Sequence, residues 1–290
     1  MSYATFEKLL TPEVTPEQNE MIKNFYATHK ESSTVVNGNT WSYLLSGEGE
    51  EVVLILVGGA RYGDSAFNLI LALEDSFRVI APSYPALKTM DDLVTGIAGI
   101  LDAENIKRVH VIGTAFGGTV SQFFLMKYPE RVDRIVLANS GGNYPEGYKN
   151  VIQSSIQRLR FLPMFMLRPV YRRAMLEDLY DFTDDVREFW RAFLTSLVMR
   201  ETKKELLSLY YCIQDAAIST ISTENLQGWD GEVLIVESEK KEDIENNRQD
   251  IKELYPDATV FTHRGETAMS VFIRMAAYEH LVKQFLQGKE

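Results

Sequence analysis

The sequence predicts an α/β fold, built on a mostly parallel, doubly wound sheet with a helical cap inserted after the sixth strand. Three observations support this prediction. Continuous apolar runs recur along the chain with helical segments between them, which is typical of strands buried on both faces of a parallel sheet. A glycine-spaced turn follows one of these runs. A long stretch without strand-like runs then interrupts the alternation.

The composition limits the size class and the partners of the protein. The chain has 290 residues, of which 45% are apolar and 24% charged, a balance typical of a globular protein with one large core. Its net charge of −11 at pH 7 argues against a nucleic-acid partner, because phosphate binding depends on clustered Lys and Arg. The single cysteine, Cys212, excludes an intramolecular disulfide and is expected to be a buried, reduced thiol.

Membrane-spanning segments and targeting signals are not expected. The longest apolar run, Val52–Val57, is far too short to cross a bilayer. The N-terminal residues lack the basic flank and following apolar run of a signal peptide. We therefore expect a cytoplasmic protein without a transmembrane segment, and we make no prediction of its oligomeric state.

The sheet is expected to open with an antiparallel pair, because residues 33–46 alternate around Asn37-Gly38, a two-residue hairpin turn. Six apolar runs predict the other strands: Val52–Val57, Phe77–Ala81, Val109–Ile112, Arg134–Ala138, Val233–Val236 and Ala258–Thr262. Segments with helical apolar spacing would cover both faces: Ser65–Leu73, Thr89–Leu101, Gly118–Lys127, Glu242–Tyr255 and Met269–Leu286. In such a sheet, ligands bind at the carboxyl ends of the strands.

The alternation breaks between Tyr144 and Gln227, which we interpret as an all-helical cap after the sixth strand. Helical spacing is evident in three segments: Val151–Leu159, Met175–Leu179 and Val186–Val198. The predicted division of the chain is a first part of the core at 1–143, the cap at 144–227 and a second part of the core at 228–290.

The cap contains a segment, Arg158 to Arg173, that is both basic and apolar. Five arginines are interleaved there with phenylalanine, methionine and leucine side chains. Two interpretations are open. The segment lies on a membrane surface or a partner, or it forms the solvated face of a cap helix.

The turn after Val109–Ile112 has the sequence Gly113-Thr114-Ala115-Phe116-Gly117. This spacing indicates a nucleophile elbow of the G-x-S-x-G type, with Ala115 at the nucleophile position. A methyl group can neither attack a carbonyl nor donate a proton. A generic glycine-rich turn is the alternative. A Walker loop is excluded because no Lys follows Gly118, and the glycine spacing differs from the dinucleotide pattern.

The loop after the run Val52–Val57 is a candidate ligand-binding loop. Gly58, Gly59 and Ala60 allow a ligand to approach the backbone, and the amide of Phe116 is expected to point into the same pocket. Such donors bind carbonyls, carboxylates or water even without a nucleophile. Arg61 either adds a positive charge to the pocket or is an exposed loop cation.

These features together resemble the α/β-hydrolase superfamily over most of residues 33–287. Further support comes from segments around the fourth and sixth strands: Phe77–Pro85, Tyr128–Val132 and Val136–Ser140. The resemblance implies a sheet of the α/β-hydrolase type, with the cap above the carboxyl ends of the strands.

Within the superfamily, the chain most resembles the maspardin-like branch. The matching segments are Tyr84-Pro85, Asn139-Ser140, Leu162–Leu167 and Leu254–Ala258. Maspardin-like proteins are regarded as non-catalytic or poorly catalytic interaction proteins, although they generally keep the elbow serine. The alanine at position 115 departs from them. With the acid and histidine positions also substituted, the chain is expected to have a degenerate catalytic triad.

The family expects an acid after the penultimate strand and a histidine after the last one. Glu239 is the candidate for a shifted acid. Glu266 occupies the histidine position, and His263, three residues earlier, is the candidate for a shifted base. No pair among the four histidines has the spacing of a metal site, and we expect neither metal nor cofactor.

The sequence thus favours a non-hydrolytic protein of this fold. It would bind a small apolar or carbonyl ligand under its cap, or a protein partner through the cap. The alternative is an ester-, amide- or epoxide-type hydrolase in which Ala115 replaces the serine, or a divergent catalyst that uses Glu266, Glu239 or His263. A scaffold that forms oligomers through the cap is a third possibility.

Overall fold

Eight strands form one sheet in the part of the chain that the computed structural model describes, which comprises residues 3–179, 182–238, 245–263, 273 and 275–289. The strands are β1 (Glu31–Val36), β2 (Asn39–Ser46), β3 (Val52–Leu56), β4 (Arg78–Ser83), β5 (Val109–Thr114), β6 (Val132–Ala138), β7 (Glu232–Ser238) and β8 (Thr259–His263). Each predicted run lies in one of these strands, within a few residues of its ends.

The sheet has the order β1-β2-β4-β3-β5-β6-β7-β8. The pairs β1–β2 and β2–β4 are antiparallel, and the other neighbouring pairs are parallel. Asn37 and Gly38 both have positive φ angles, 49° and 75°, as a tight hairpin turn between β1 and β2 requires. The predicted mostly parallel sheet with an antiparallel opening is confirmed.

Helices connect the strands and cover the sheet. They are α1 (Tyr3–Glu7), α2 (Pro16–Thr28), α3 (Phe67–Leu73), α4 (Met90–Ala103), α5 (Phe116–Lys127), α6 (Tyr148–Phe161), α7 (Met164–Leu176), α8 (Asp184–Arg200), α9 (Lys203–Ile218), α10 (Glu245–Leu254) and α11 (Met275–Leu286). Every residue of β5 is buried, because helices lie on both faces of the sheet at its centre. No helix in the described ranges has the length and apolarity needed to cross a bilayer.

Helices α6 to α9 lie between β6 and β7, which confirms a helical cap after the sixth strand. Within it, α6 packs against α9 and α7 against α8. Helix α9 has no counterpart among the predicted helices. The cap boundaries at 144 and 227 stay a prediction.

Candidate active site

The turn after β5 is strained at Ala115. Its backbone has φ 49° and ψ −118°, a region that alanine rarely adopts. The bend is fixed on both sides, since the Ala115 N–H donates to the carbonyl of Ala138 (3.0 Å) and the Gly118 N–H donates to the carbonyl of Ala115 (3.0 Å). Ala115 itself is exposed, whereas its neighbours Thr114 and Phe116 are buried. The turn therefore presents the residue at its tip to the space above the sheet.

Three glycines make this turn possible because there is no room for a side chain beside them. A Cβ atom on Gly117 would lie 1.9 Å from the carbonyl oxygen of Leu56, and one on Gly118 would lie 1.7 Å from Oγ of Ser140. A Cβ atom on Gly113 would lie 2.1 Å from Oγ of Ser121. These contacts explain why glycine stands at all three positions of the turn.

The loop after β3 lies directly against the elbow. A Cβ atom on Gly58 would be 3.2 Å from the carbonyl oxygen of Thr114 and 3.4 Å from Cβ of Ala115. The same position is 4.0 Å from the amide nitrogen of Phe116. Because Phe116 is the first residue of α5, its N–H has no acceptor within the helix. The loop and the helix start thus bring backbone donors to the exposed tip of the elbow.

The cap closes over this loop from α7 and α9. The Tyr171 hydroxyl donates to the carbonyl of Gly59 at 3.1 Å. A Cβ atom on Gly59 would be only 3.7 Å from Cδ2 of Leu209. Burial raises the pKa of Tyr171, so its hydroxyl is a proton donor across the physiological range. The cap therefore contacts the backbone of the predicted binding loop directly.

Arg61 anchors the loop from beneath. Its side chain is 2% exposed, so the interpretation as an exposed loop cation is wrong. The guanidinium donates to the carbonyls of Tyr84 (2.7 Å) and Pro85 (3.0 Å) after β4, and also to the carbonyl of Glu205 in α9. The Arg61 N–H donates to the carbonyl of Gly58 at 3.1 Å, which closes a turn around Gly59 and Ala60. The hydrogen bonds of the Arg61 guanidinium thus hold the loop in place.

A carboxyl group of the cap, Glu201, is buried beside Arg61. Its Oε1 lies 3.9 Å from Nε of Arg61, and Glu201 is 1% exposed. Burial raises the pKa of Glu201 to about 7, and the charge of Arg61 opposes this shift. Desolvation therefore outweighs the attraction of the cation. Near neutral pH, this carboxyl exists in both protonation states.

A second buried ion pair ties the loop to the cap. Nη1 of Arg200, at the end of α8, donates to both carboxylate oxygens of Asp64 at 2.9 and 2.6 Å. The guanidinium of Arg200 also lies over the ring of Tyr62, 3.9 Å from its centroid. Asp64 accepts a further hydrogen bond from Tyr26 at 3.1 Å. The loop is thereby clamped between the N-terminal helix α2 and the cap.

Tyrosines line the region between the elbow helix and the cap. Tyr144 stacks on Tyr148 with ring centroids 5.0 Å apart, and its hydroxyl is 3.5 Å from Oγ1 of Thr119 in α5. Burial raises the pKa of Tyr144 to about 12 and also raises the pKa of Tyr148 and Tyr210. The surroundings of the site therefore combine aromatic faces with neutral hydroxyl donors.

The structure describes only one of the three residues that the sequence predicts at or near the acid and histidine positions. Glu239 and Glu266 lie outside the described residues. His263 ends β8 and pairs in register with Ser238 of β7. Because β6 and β7 separate β8 from β5, the backbone of His263 lies about 14 Å across the sheet from the elbow strand, at about 4.8 Å per strand. Sheet geometry does not bring His263 into contact with Ala115, and its role stays a prediction.

Two of the other histidines and the cysteine lie in the packed structure away from the elbow. His29 contacts Glu74 at 2.7 Å, and burial lowers the pKa of His110 in β5. Cys212 is a buried free thiol, as predicted. Within the ranges described above, no cluster of three or more potential metal ligands is present.

Sequence reasoning missed Glu201 and Tyr171, and left Arg61 undecided. Glu201 stands between two helices in a polar run, a pattern that normally marks a surface. Only the N-cap Thr202 with Glu205, a capping box at the start of α9, could have signalled a helix boundary next to it.

Comparison with known proteins agrees with this geometry. Residues 51–157 match the family described as alpha/beta hydrolase fold. A 2-hydroxy-6-oxo-6-phenylhexa-2,4-dienoate hydrolase of Comamonas testosteroni is 27% identical over 162 residues, which are 50% of this chain and 56% of that protein. A 2-hydroxy-6-oxononadienedioate/2-hydroxy-6-oxononatrienedioate hydrolase of Paraburkholderia phymatum is 28% identical over 209 residues, 61% of this chain and 69% of that protein. The first of these matches spans little more than half the length of the relative.

Solved structures show the same fold along most of the chain. The enol-lactonase from Burkholderia xenovorans LB400 has a TM-score of 0.74 at 16% identity, covering 88% of this chain and 100% of that one. A serine-to-alanine mutant of the meta-cleavage product hydrolase from Pseudomonas fluorescens IP01, complexed with acetates, has a TM-score of 0.65 at 22% identity, covering 89% and 97%. At these identities the similarity establishes the fold alone.

The relatives overturn one prediction. The non-hydrolytic function expected from the substituted triad positions is wrong, because the matched relatives are named as hydrolases and a lactonase. The alternative expectation, a hydrolase with an altered nucleophile position, agrees better with them. The eight-stranded sheet and the elbow have the arrangement of the α/β-hydrolase fold, and residues 51–157 match the family described by that fold.

Proposed function

We propose that the chain is a hydrolase of small carbonyl compounds. Its substrates would be esters, amides or related oxo acids. One observation carries the proposal. The strained tip of the elbow is exposed next to the Gly58 loop, and the free N–H of Phe116 lies beside the same loop. Donors placed in this way stabilise the negative charge that develops on a carbonyl oxygen during attack.

In the proposed reaction, the substrate carbonyl oxygen accepts hydrogen bonds from the Phe116 N–H and from an amide of residues 58–60. Ala115 has no Oγ, so a water molecule above its methyl group is the nucleophile. The water oxygen bonds to the carbonyl carbon while a base takes its proton. The tetrahedral oxyanion then collapses, and the leaving group departs with that proton.

The base would be one of three residues predicted from the sequence: Glu239, Glu266 and His263. A catalyst that uses one of them is the divergent enzyme of the alternative expectation. His263 would have to act at a distance from the elbow strand, through water or a second group.

Two kinds of observation support the substrate class. The matched relatives are named for oxo acids and an enol-lactone. All of these compounds contain a carbonyl group. The tyrosines around the elbow, Tyr144, Tyr148 and Tyr171, supply aromatic surface and neutral hydroxyl donors. Such a lining suits a small, partly apolar compound with a few oxygen atoms under the cap.

Three further expectations accompany this proposal. Assignment to the maspardin-like branch, with a degenerate triad, rests on the four short segments named above. Division of the chain into a core and a cap at 144 and 227 rests on the change in sequence pattern. The cytoplasmic location and the absence of a nucleic-acid partner rest on the N-terminal sequence and the charge.

The test compares the chain with Ala115→Ser, using Ala103→Ser on the exposed end of α4 as the matched control. Hydrolysis of p-nitrophenyl acetate and of 2-hydroxy-6-oxo-6-phenylhexa-2,4-dienoate is followed at several pH values. We expect turnover above the buffer rate for the chain and the control. Ala115→Ser should displace the water and change the rate at least about tenfold, as expected when a group in the transition state changes.

A solvent-exchange experiment identifies the nucleophile. In ¹⁸O-labelled water, a single turnover by the chain should place one label in the acid product, with no label retained on the protein. The proposal fails if all substrates hydrolyse at the buffer rate with the chain and with both variants.

A further inference from the structure

Helix α7 has two faces of different character. The inner face packs into the cap through residues spaced three and four apart: Met164, Leu167, Tyr171 and Met175. On the opposite face, Phe165 is 74% exposed, Met166 50% and Val170 70%. The second face carries large apolar side chains without any covering element.

The apolar surface extends into the preceding turn. Phe161, the last residue of α6, is 86% exposed, and Leu162 is 36% exposed. Five large exposed hydrophobic residues thus fall within ten positions of the chain. Single exposed hydrophobic residues are normal on protein surfaces, but a group of this size marks an interaction site. We call this group the apolar patch of the cap.

Positive charge surrounds the apolar patch. Residues 158–173 contain five arginines and no acidic residue, although the whole chain has 41 Asp and Glu against 30 Lys and Arg. Four of these arginines are exposed: Arg158, Arg160, Arg172 and Arg173. Their hydrogen-bond partners are neutral, as with Arg160 to the Tyr211 hydroxyl and Arg172 to the Thr195 hydroxyl. Among the described side chains, none of the five forms an ion pair with a carboxylate.

We propose that the apolar patch and its arginines bind the surface of a bilayer that contains anionic lipid. Helices with an apolar face of Phe, Met and Val flanked by arginine lie in the interface plane, where the apolar side chains enter the acyl boundary. The arginines then meet the lipid phosphates, which attract basic side chains to the membrane surface. The charge on this face is opposite to the net charge of the chain, so it selects the anionic surface.

Binding in this manner orients the protein. The inner face of α7 contacts the active-site loop through Tyr171, and the outer face would lie on the lipid. One helix diameter, about 10 Å, therefore separates the bilayer surface from the loop. The membrane inference rests on the cap surface alone and does not depend on the proposed reaction.

Vesicle co-sedimentation tests the proposal with the full chain. The vesicles are pure phosphatidylcholine, or phosphatidylcholine with about one-third phosphatidylserine, at low and high salt. We expect binding to the mixed vesicles only, with clear weakening at high salt because the charge contacts are screened. Equal affinity for both kinds of vesicle, or no binding to either, would overturn the proposal.

Two pairs of substitutions separate the contribution of apolar contact to vesicle binding from the contribution of charge. Phe165→Ser with Val170→Ser removes apolar contact, and Arg172→Gln with Arg173→Gln removes charge. Each pair should weaken vesicle binding about tenfold or more. The matched controls are Val35→Ser with Ile218→Ser, and Lys88→Gln with Lys107→Gln, which change exposed residues elsewhere and should leave binding unchanged.

Thermal unfolding and light scattering complete the test. All four variant pairs alter exposed side chains and should unfold within a few degrees of the parent chain, so loss of binding is not loss of fold. If light scattering instead finds a dimer of the parent chain that Phe165→Ser with Val170→Ser dissociates, a second copy covers the patch and the membrane proposal is wrong.

Discussion

The hydroxyl of Tyr171 donates a 3.1 Å hydrogen bond to the carbonyl oxygen of Gly59. Tyr171 belongs to the cap and Gly59 to the loop beside the elbow, so this bond couples the two parts of the site. It also fixes the orientation of the Gly59–Ala60 peptide, since the N–H of a trans peptide points away from its carbonyl. The cap therefore determines where one candidate donor of the loop points.

Tyr171→Phe should lower kcat more than it changes KM, because a misoriented donor weakens the transition state more than the ground state. Loss of one hydrogen bond should lower the free energy of unfolding by about 1 kcal/mol. Steady-state kinetics and urea denaturation measure the two effects. The control is Tyr128→Phe, which lies beyond the end of α5 that is remote from the elbow and whose hydroxyl makes no hydrogen bond within the described part of the chain. A change in KM alone would show that Tyr171 does not position the loop.

Glu201→Gln should make the protein more stable at pH 8. Burial raises the pKa of Glu201 from 4.5 to about 7. At a pH between these two values, the folded state keeps a proton on Glu201 and the unfolded state releases it. This contribution to stability is present below about pH 4.5 and is lost as the pH rises through about 7. The variant has no such loss, and the gain at pH 8 is at most about 3 kcal/mol.

The measurement for Glu201→Gln is urea denaturation from pH 4 to pH 8. The stabilities of parent and variant should converge at about pH 4, where the parent carboxyl is largely protonated in both the folded and the unfolded state. Glu224→Gln, at an exposed position, should leave the pH dependence intact. Lower stability of Glu201→Gln at pH 8 would mean that the carboxylate is net stabilised by Arg61.

Gly117→Ala should unfold or severely destabilise the chain, while Gly59→Ala should be tolerated. A Cβ atom on Gly117 would lie 1.9 Å from the backbone oxygen of Leu56, whereas one on Gly59 meets nothing closer than 3.7 Å. Overpacking against backbone costs about 3 kcal/mol or more. Thermal unfolding distinguishes the pair. Similar melting temperatures for the two variants would contradict the tight elbow.

Ala115→Gly should stabilise the chain by about 1 kcal/mol. Glycine adopts φ 49° without the steric penalty that alanine has there, and this gain exceeds the extra entropy of the unfolded glycine chain. Ala103→Gly, in the exposed last turn of α4, should instead destabilise by up to about 1 kcal/mol. Guanidinium denaturation compares both variants with the parent. Equal losses in the two variants would show that Ala115 is unstrained.

The thiol of Cys212 should resist modification in the native protein. Burial raises its pKa to about 12, so about one thiol in ten thousand is ionised at pH 8. We expect 5,5′-dithiobis(2-nitrobenzoic acid) to react with Cys212 only after denaturation, and then with one equivalent released. Rapid labelling of the native chain would contradict the packing of α9 against the core.

The sheet and the elbow could be predicted from the sequence because the patterns that indicate them span only a few consecutive residues. The run Val109–Ile112 with glycines spaced around Ala115 defines a strand, a strained turn and a helix start over ten residues. The turn at Asn37-Gly38 fixes its hairpin in the same way. In contrast, Arg61 and Glu201 are polar residues in polar surroundings, and only tertiary packing buries them. Their contribution to the site required the folded chain.

The function expected from the sequence is also wrong. The substitution of all three expected triad positions, with Ala115 for the serine and Glu266 for the histidine, outweighed the preserved backbone of the elbow. Helix α9 was missed although Thr202 and Glu205 form a capping box, because its apolar residues Leu206–Tyr211 give no simple one-sided stripe.

The contacts of Arg61 join the candidate site to parts of the chain that are far apart in sequence. Its acceptors are 23 residues away at Tyr84 and 144 residues away at Glu205. The contact with Glu205 closes a loop of 144 residues and requires the cap to be in place. The loop of residues 58–61 therefore gains this contact only once the cap has docked. During synthesis, a chain that ends before Glu205 can build part of the sheet but lacks the carbonyl that holds this loop in its working shape.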